Sequence, residues 1–193
     1  MTKTILITGG AGYIGSHAVL ALRNAGYEVI VLDNLSNGHR ELVEDVLQVK
    51  LIVGDMSDRS LLARIFSTHN IDAVMHFAAY IAVGVSVTHP AKYYQNNVIG
   101  TLTLLKAMLK GGESEVFNLG NGSGFSVREL IETAKTVTGR KIKIEERDRR
   151  PGDPPILVGS SYKARQQLGW QPQYPNLEEI ISHAWQWHQK RHI

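Results

Sequence analysis

Cysteine is absent from the 193 residues of this sequence. Disulfide bonds, zinc sites with thiolate ligands and a cysteine nucleophile are therefore excluded. Long apolar runs are absent too, since none approaches the ~18 residues that a membrane-spanning helix needs. The first ten residues, MTKTILITGG, read as a short strand and a glycine turn, which is not the pattern of a signal peptide. We therefore expect a cytoplasmic protein with no membrane partner.

An excess of charge of one sign is also lacking. The 21 basic and 18 acidic residues leave a formal net charge of +3, and the basic residues are scattered. Nucleic-acid binding requires a clustered basic stripe, so we predict no nucleic-acid partner. We assign no metal, because His183 and His188 lack the i, i+4 spacing and the acidic partner that suit one.

Strands and helices alternate along the first 110 residues. Apolar runs of strand length occur at 4–8, 28–33, 50–55 and 72–79. Helical patterns follow them at 13–26, about 39–48, 58–69 and 89–110. Such alternation is typical of βαβ units with right-handed crossovers. It predicts an α/β fold with a Rossmann-type, doubly wound parallel sheet.

The sequence after residue 110 is organised differently. It predicts, in order, strand 115–119, helix 126–139, edge strand 141–146, and helices 160–170 and 176–192. Ser126 and Glu129 have the spacing of a capping box at the start of one of these helices. We therefore divide the chain into a Rossmann half, 1–110, and a small C-terminal α/β remnant of a substrate domain, 111–193.

A glycine loop is the first chemical motif. Gly9, Gly12 and Gly15 form a G-x-x-G-x-x-G pattern between the first strand and the first helix. The first two allow the backbone to approach a pyrophosphate, and Gly15 allows the helix to pack closely on the strand. The phosphates would bind free N–H groups at the positive end of the helix dipole. The pattern favours a dinucleotide site over the alternative, in which the glycines only shape a turn.

Acidic and small residues follow the other predicted strands, where ligands of a doubly wound sheet bind. Asp33 stands 18 residues after Gly15, from where a carboxylate can accept hydrogen bonds from the adenosine ribose. Such a bond contributes about 1.5–3 kcal/mol, and the charge would repel a 2′-phosphate, so NAD is favoured over NADP. Asp55 could accept from the adenine amino group, and Ala78 and Ala79 would let the backbone pass close to the cofactor. In the alternative, Asp33 is a solvated strand end.

Several segments resemble the extended short-chain dehydrogenase/reductase family. In the N-terminal half they are TGGAGYIGS, LDNLSNG, VGDMSD, HFAAYIAVGVSV and YYQNNVIGTL. Within this family they are most similar to the UDP-glucose 4-epimerases, as are VFNLGNGSGFSVRELI and RRPGDPPILVGSSYKARQQLGWQPQY near the C-terminus. The resemblance implies a UDP-sugar substrate whose C4 hydroxyl is oxidised by tightly held NAD, rotated as a keto-sugar, and reduced from the other face. The glycine loop alone is shared with other sugar-nucleotide enzymes of the family.

The resemblance also implies which residues contact the ligands. Dinucleotide contacts are implied in the glycine loop, in the runs 33–38 and 77–81, and at single positions: Gly9, Gly12, Tyr13, Ile14, Gly15, Asp33, Asn34, Asn37, Gly38, Asp55, Met56, Phe77, Ala78, Ala79, Ile81 and Asn97. Arg150 and Asp153 match the family's contacts to uridine diphosphate and ribose. Without the resemblance, these two would be interpreted as part of a solvated basic loop.

The sequence departs from the family at the catalytic centre. Ile81 is apolar where the family has a lysine or another polar residue, and Val85 stands where a glutamate is usual, which loosens the site around the nicotinamide ribose. The family's base is a tyrosine with a lysine four residues later, and no tyrosine here has that lysine. Tyr162 and Lys163 are adjacent and would point about 100° apart on a helix. We therefore assign no catalytic residue.

The largest departure lies between Lys110 and Glu115, where the family's central segment is missing. That segment carries the fifth and sixth strands and most of the sugar pocket. Acid–base catalysis contributes about 10²–10⁴ in rate and orientation ~7–11 kcal/mol, so we expect no epimerisation by this chain alone. We hypothesise that residues 115–119 fill the fifth-strand position, with Gly111-Gly112 ending the helix before them.

Several functional hypotheses remain open at this stage. The first is an NAD-binding remnant of an epimerase, and the second is another sugar-nucleotide enzyme of the same family. The third is a non-enzymatic module that pairs with a full-length homologue or another subunit, or forms a homo-oligomer, through an unpaired strand edge. The last is a chain that does not fold.

Overall fold

The structure is a computed structural model, and it describes residues 2–109, 115–149 and 151–191. The chain divides into two compact units, Met1–Ser114 and Glu115–Ile193. Each unit is described by itself.

A parallel sheet forms the centre of the first unit. Its strands are β1 (Thr4–Thr8), β2 (Glu28–Asp33), β3 (Lys50–Val53) and β4 (Ile71–His76). They lie in the order β3-β2-β1-β4, and every pairing is parallel, with Leu6 opposite Ile30 and Val74. This is the order of the first four strands of a Rossmann fold. The predicted α/β fold with a Rossmann-type sheet is confirmed.

Helices cover both faces of the sheet. They are α1 (Tyr13–Asn24), a π-helical segment Leu42–Val46, α2 (Arg59–Thr68), α3 (Val83–Thr88), α4 (Pro90–Tyr93), a second π-helical segment Tyr94–Gly100, and α5 (Thr101–Leu109). Ile5 and Ile7 of β1 are buried on one face, in a cluster that includes Val19 of α1, whereas Leu6 is buried on the other with Leu62 of α2. Each such burial stabilises the fold by about 1.5–3 kcal/mol.

The helix predicted at 89–110 is present as a continuous helical stretch from Pro90 to Leu109, formed by α4, the second π-helical segment and α5. An additional helix, α3, precedes it and ends at Thr88, and α4 begins at Pro90. His89 separates the two with φ −132° and ψ 59°, because the residue before a proline is disfavoured in helical conformation. The predicted position of Pro90 in the first helical turn is confirmed.

The described part of the second unit contains three helices, α6 (Val127–Thr138), α7 (Tyr162–Leu168) and α8 (Leu177–Arg191). The predicted capping box of α6 is present: the Ser126 hydroxyl accepts from the Glu129 N–H at 3.1 Å, and the Glu129 carboxylate accepts from the Ser126 N–H at 2.7 Å. Gly139 ends the helix with φ +64°. The boundaries of α6 therefore follow local capping signals.

The predictions of two strands in the second unit are wrong, because residues 115–119 and 141–146 form no strand. In the first segment the Lys163 ammonium donates to the carbonyl of Val116 at 3.2 Å and lies 4.6 Å from the centre of the Phe117 ring. These contacts to the segment therefore come from a side chain of α7 and not from a neighbouring strand. The hypothesis that this segment supplies a fifth strand is wrong as well, and Gly111-Gly112 lies outside the described residues.

Among the described residues β4 is an edge strand of the sheet, since β1 is its only strand neighbour there. Its exposed residues include Asp72 and Ala73. No helix in the described residues is long and apolar enough to cross a membrane.

Candidate functional site

A cleft of about 110 Å³ lies where the four strands end. Most residues predicted as dinucleotide contacts line it: Gly9, Gly12, Asp33, Asn34, Asn37, Gly38, Asp55, Met56, Phe77, Ala78 and Ala79. Because the strands are parallel, the loops that follow their carboxyl ends converge at the same end of the sheet. Residues that are far apart in sequence therefore form one site.

The glycine loop allows three segments of backbone to meet at the cleft. Gly9 has φ +77°, and a Cβ there would lie 2.6 Å from the carbonyl carbon of Phe77. A Cβ on Gly15 would collide with the carbonyl oxygen of Gly9. At the start of α1 no side chain caps the helix, because its N-cap residue is Gly12. The first N–H groups of α1 are therefore available to an anion.

Asp33 connects the end of β2 to the glycine loop. Its Oδ2 accepts from the Ala11 N–H at 3.0 Å, and its Oδ1 accepts from the Leu35 N–H at 2.8 Å. The residue is buried. Because a carboxylate has about four acceptor positions, both oxygens can still accept from a ligand hydroxyl. Asp33 thus has an ordering function in addition to the predicted ligand contact.

A second acidic group lies beside it, after β3. Asp55 Oδ2 accepts from the Asn34 side chain at 3.0 Å, and its Oδ1 accepts from the Ser57 N–H at 2.8 Å and the Ser57 hydroxyl at 2.7 Å. Burial acts to raise the pKa of Asp55, but the hydrogen bonds from Ser57 and Asn34 outweigh it, and the pKa lies below its ordinary value. The cleft therefore contains a second stable negative charge.

His76 ends β4 beneath the cleft. Its Nδ1 lies 2.7 Å from the Thr8 hydroxyl and its Nε2 lies 3.3 Å from the Thr101 hydroxyl. Although the residue keeps an exposed surface, burial of the ring lowers its pKa below the ordinary value of 6.5. A neutral imidazole therefore joins β1, β4 and α5.

Some predicted contacts do not line the cleft. The side chains of Tyr13, Ile14 and Ile81 are 57%, 63% and 85% exposed, and none of them lines it. Asn97 also lies outside the lining, because both atoms of its side-chain amide bond to the backbone of Tyr80.

The two predicted substrate contacts lie in the C-terminal part of the chain. Arg150 falls outside the described residues. The backbone carbonyl of Asp153 accepts a hydrogen bond from Arg149.

The structure adds residues that the sequence did not indicate. Thr8, Leu32, Gly54 and Asn96 line the cleft. Thr8 could have been anticipated, since it ends β1 and directly precedes a predicted loop, and Leu32 stands one residue before the end of β2. Asn96 had no distinguishing signal, because two adjacent asparagines in a helix cannot be ranked without knowing how the helix is rotated.

The hydrogen-bonding groups of the cleft suit part of an adenosine dinucleotide. Free helical N–H groups fit a phosphate, and the carboxylates of Asp33 and Asp55 fit hydroxyl and amino donors. The volume of about 110 Å³ is below the roughly 300–1,000 Å³ of ordinary ligand pockets. The cleft thus matches one portion of such a ligand. The described residues contain no cluster of three metal-ligating side chains.

Fold and site together define a Rossmann-type nucleotide-binding protein. The chain belongs to the NAD dependent epimerase/dehydratase family, whose model matches residues 5–137. A UDP-glucose 4-epimerase of Halalkalibacterium halodurans is 33% identical, with 96% of each chain covered. One of Haemophilus influenzae is 52% identical over 113 residues, which are 56% of this chain and 33% of that protein.

A solved structure extends the likeness to the fold. The UDP-glucose 4-epimerase from Brucella ovis in complex with NAD is 25% identical, with a TM-score of 0.74 over 93% of this chain and 96% of that chain. The alignment with the Halalkalibacterium relative runs over 322 positions, whereas this chain has 193 residues. A large internal part of that relative therefore has no counterpart here.

Proposed function

We propose that this chain binds the adenosine half of NAD in the cleft and does not epimerise UDP-sugars alone. One observation carries the proposal: Gly9, the uncapped start of α1, Asp33 and Asp55 converge at the carboxyl ends of the strands. The NAD in the Brucella ovis structure supports the choice of ligand. A cytoplasmic location remains part of the proposal.

The absence of turnover follows from two features. No tyrosine in the sequence is followed by a lysine four residues later, and the sheet has no strand beyond β4 in the described residues. The chain thus lacks the family's tyrosine–lysine base, and its described residues offer no strand beyond β4 against which a nicotinamide ring could lie. Arg150 and Asp153 are kept as proposed contacts to a UDP-sugar.

Calorimetry with ADP and NAD tests the first part. Because only the adenosine half has contacts, we expect both to bind with affinities within about tenfold, which corresponds to 1.4 kcal/mol. Much tighter binding of NAD would show that the nicotinamide half is also held and would contradict the proposal.

A coupled assay of UDP-galactose turnover with added NAD tests the second part. We expect a rate indistinguishable from that of a buffer control. Measurable conversion by the pure chain would refute the inactivity.

A second candidate function is a module that pairs with a full-length homologue. It is favoured by a groove of about 700 Å³ that β4 forms with α2 and α5, beside the edge at which no strand of the described residues pairs with β4. Apolar side chains such as Phe66, Val74 and Met108 line it. Since the relatives carry an internal region that this chain lacks, a homologous chain is the partner whose shape we expect to match.

Sedimentation of the chain mixed with the Halalkalibacterium relative tests this function. We expect a mixed complex that Ala73→Lys weakens, because a lysine on an edge strand opposes pairing. Val53→Lys, on the opposite edge strand β3, is the matched control and should leave the complex intact. Two separate species would contradict this function, and self-association would indicate a second copy as the partner instead.

A further inference from the structure

One wall of the cleft is a segment without regular secondary structure. This wall segment, residues 77–82, connects β4 to α3, and its members Phe77, Ala78, Ala79 and Tyr80 line the cleft. Phe77 continues the sheet, since its N–H donates to the carbonyl of Thr8 at 2.8 Å. Beyond Phe77 the wall segment forms no strand pairing, so its remaining backbone groups must be held in another way.

Side chains on one face of the helical stretch 90–109 hold the wall segment. Asn96 Nδ2 donates to the Ala78 carbonyl at 2.8 Å, and the Tyr93 hydroxyl donates to the Ala82 carbonyl at 2.8 Å. Between them, Asn97 Oδ1 accepts from the Tyr80 N–H at 2.9 Å, and Asn97 Nδ2 donates to the Tyr80 carbonyl at 2.9 Å. The bonded positions are alternate residues, as along one edge of a strand. The three side chains have i, i+3, i+4 spacing, which places them on one face of the helix.

The orientation of the Asn97 amide is determined by its partners. A backbone N–H can only meet an acceptor and a backbone carbonyl can only meet a donor. Asn96 Nδ2 also donates to Asn97 Oδ1 at 2.8 Å, which agrees with the same orientation. Asn97 is therefore the one member of this set that satisfies both polar groups of a single wall residue.

The helical stretch 90–109 packs closely against a residue that lines the cleft. Asn96 and Asn97 lie in the π-helical segment Tyr94–Gly100, and π-helical turns are frequent at functional sites. A Cβ on Gly100 would lie 2.9 Å from Met56 Cε. Since Met56 lines the cleft and is buried, the position of the helix is set by close packing.

We propose that Asn97 is a positioning residue that replaces a neighbouring strand, holds the wall segment in register, and thereby sets the affinity of the cleft for an adenosine nucleotide. This inference rests on the proposed nucleotide binding. It gives Asn97 a different function from the direct ligand contact that the sequence suggested.

Asn97→Asp tests the proposal through a pH profile. An ionised carboxylate accepts from the Tyr80 N–H but repels the Tyr80 carbonyl, whereas a protonated carboxyl group can accept and donate as the amide does. We expect roughly tenfold weaker ADP binding than wild type near pH 8, from the loss of one bond and the repulsion. As the pH falls toward about 4–5, the ratio to wild type should return toward one.

Gln95→Glu is the matched control, because it makes the same change from amide to acid at an exposed position two residues before Asn97. It keeps Asp33, Asp55 and the Lys92 ammonium, which lies 4.5 Å from the centre of the Tyr80 ring, so the other charged groups near the wall segment are the same in both variants. Circular dichroism confirms that both variants fold. Equal ADP affinity of the two variants near pH 8 would overturn the proposal.

Hydrogen exchange gives a readout that does not depend on binding. We expect faster exchange of the 77–82 amides in Asn97→Asp than in Gln95→Glu, and a smaller effect in Tyr93→Phe, which removes one bond. If wild type binds neither ADP nor NAD, the proposed function fails, and the exchange experiment still decides whether Asn97 holds the wall. Equal exchange in all variants would overturn the positioning function.

Discussion

The carboxylate of Asp33 accepts a hydrogen bond from the Ala11 N–H at 3.0 Å, across 22 residues of sequence. This bond joins the end of β2 to the glycine loop that follows β1. The same carboxylate holds the Leu35 N–H at 2.8 Å. One acidic side chain therefore orders two of the loops that form the cleft.

Asp33→Asn should weaken both the fold and the discrimination between cofactors. An amide offers one oxygen for two N–H donors, so one buried donor loses its partner at a cost of about 1–3 kcal/mol. Removing the charge should also narrow the affinity gap between NAD and NADP. Urea unfolding and calorimetry with both dinucleotides measure the two effects. Asp45→Asn, at an exposed position, is the control, and an equal change in both variants would contradict this explanation.

Gly9→Ala should destabilise the chain more than Gly26→Ala. Both glycines have positive φ, +77° and +85°, so each substitution carries a strain of about 1–2 kcal/mol. Only the Cβ at Gly9 meets backbone, at 2.6 Å from Phe77, whereas nothing lies within 4 Å of the one at Gly26. We expect a further loss of roughly 1–3 kcal/mol for Gly9→Ala from overpacking. Thermal unfolding measures the difference, and equal losses would show that the close approach is unimportant.

Acidification should lower the free energy of unfolding through His76. Burial holds the folded-state pKa below the ordinary 6.5, so between the two values the unfolded chain binds more protons. Stability therefore rises with pH in that window and is lost as the pH falls through 6.5 toward the folded-state pKa.

His76→Gln removes this contribution and should flatten the dependence, measured by urea unfolding at several values between about pH 5 and 8. His39→Gln, at an exposed histidine, should keep the wild-type slope. An unchanged slope in His76→Gln would assign the pH dependence to other groups.

Ser126→Ala should destabilise α6. The substitution removes the acceptor for the Glu129 N–H, and the loss of an N-cap side chain costs about 0.5–2 kcal/mol. Urea unfolding followed by far-ultraviolet circular dichroism measures it. Ser123→Ala, three residues earlier and exposed, should be neutral, and a matching loss there would show that the cap is not the cause.

The first unit was largely predictable because its signals are strong and local. Strand β2 has the predicted bounds, and β1 does too, since runs of β-branched residues closed by glycine or a polar residue leave few alternatives. The prediction for β4 ran three residues too far, because the apolar residues after His76 form the wall of the cleft. Partial burial in the wall of the cleft favours apolar residues just as burial in a strand does.

The predicted strands of the second unit failed for a different reason. Residues 141–146 alternate in polarity as a strand would, but a strand is stable only with a neighbour to accept its hydrogen bonds. In residues 115–119, the carbonyl of Val116 accepts a hydrogen bond from Lys163 of α7 instead of from a strand. Alternation in the sequence carries no information about the partner, and here it does not correspond to alternating burial either, because residues 141–146 are all exposed.

The amino-acid sequence determines the glycine turn, the capping box of α6, the break at Pro90 and the absence of a tyrosine–lysine base, because each depends on residues within a few positions of one another. Tertiary contacts decide the rest. They turn Asn96 into the cleft and Asn97 onto the Tyr80 backbone, join Asp33 to Ala11, and leave β4 as a bare edge. Adjacent identical side chains acquire different functions because the rotation of the helix is set by long-range packing, such as that of Gly100 on Met56.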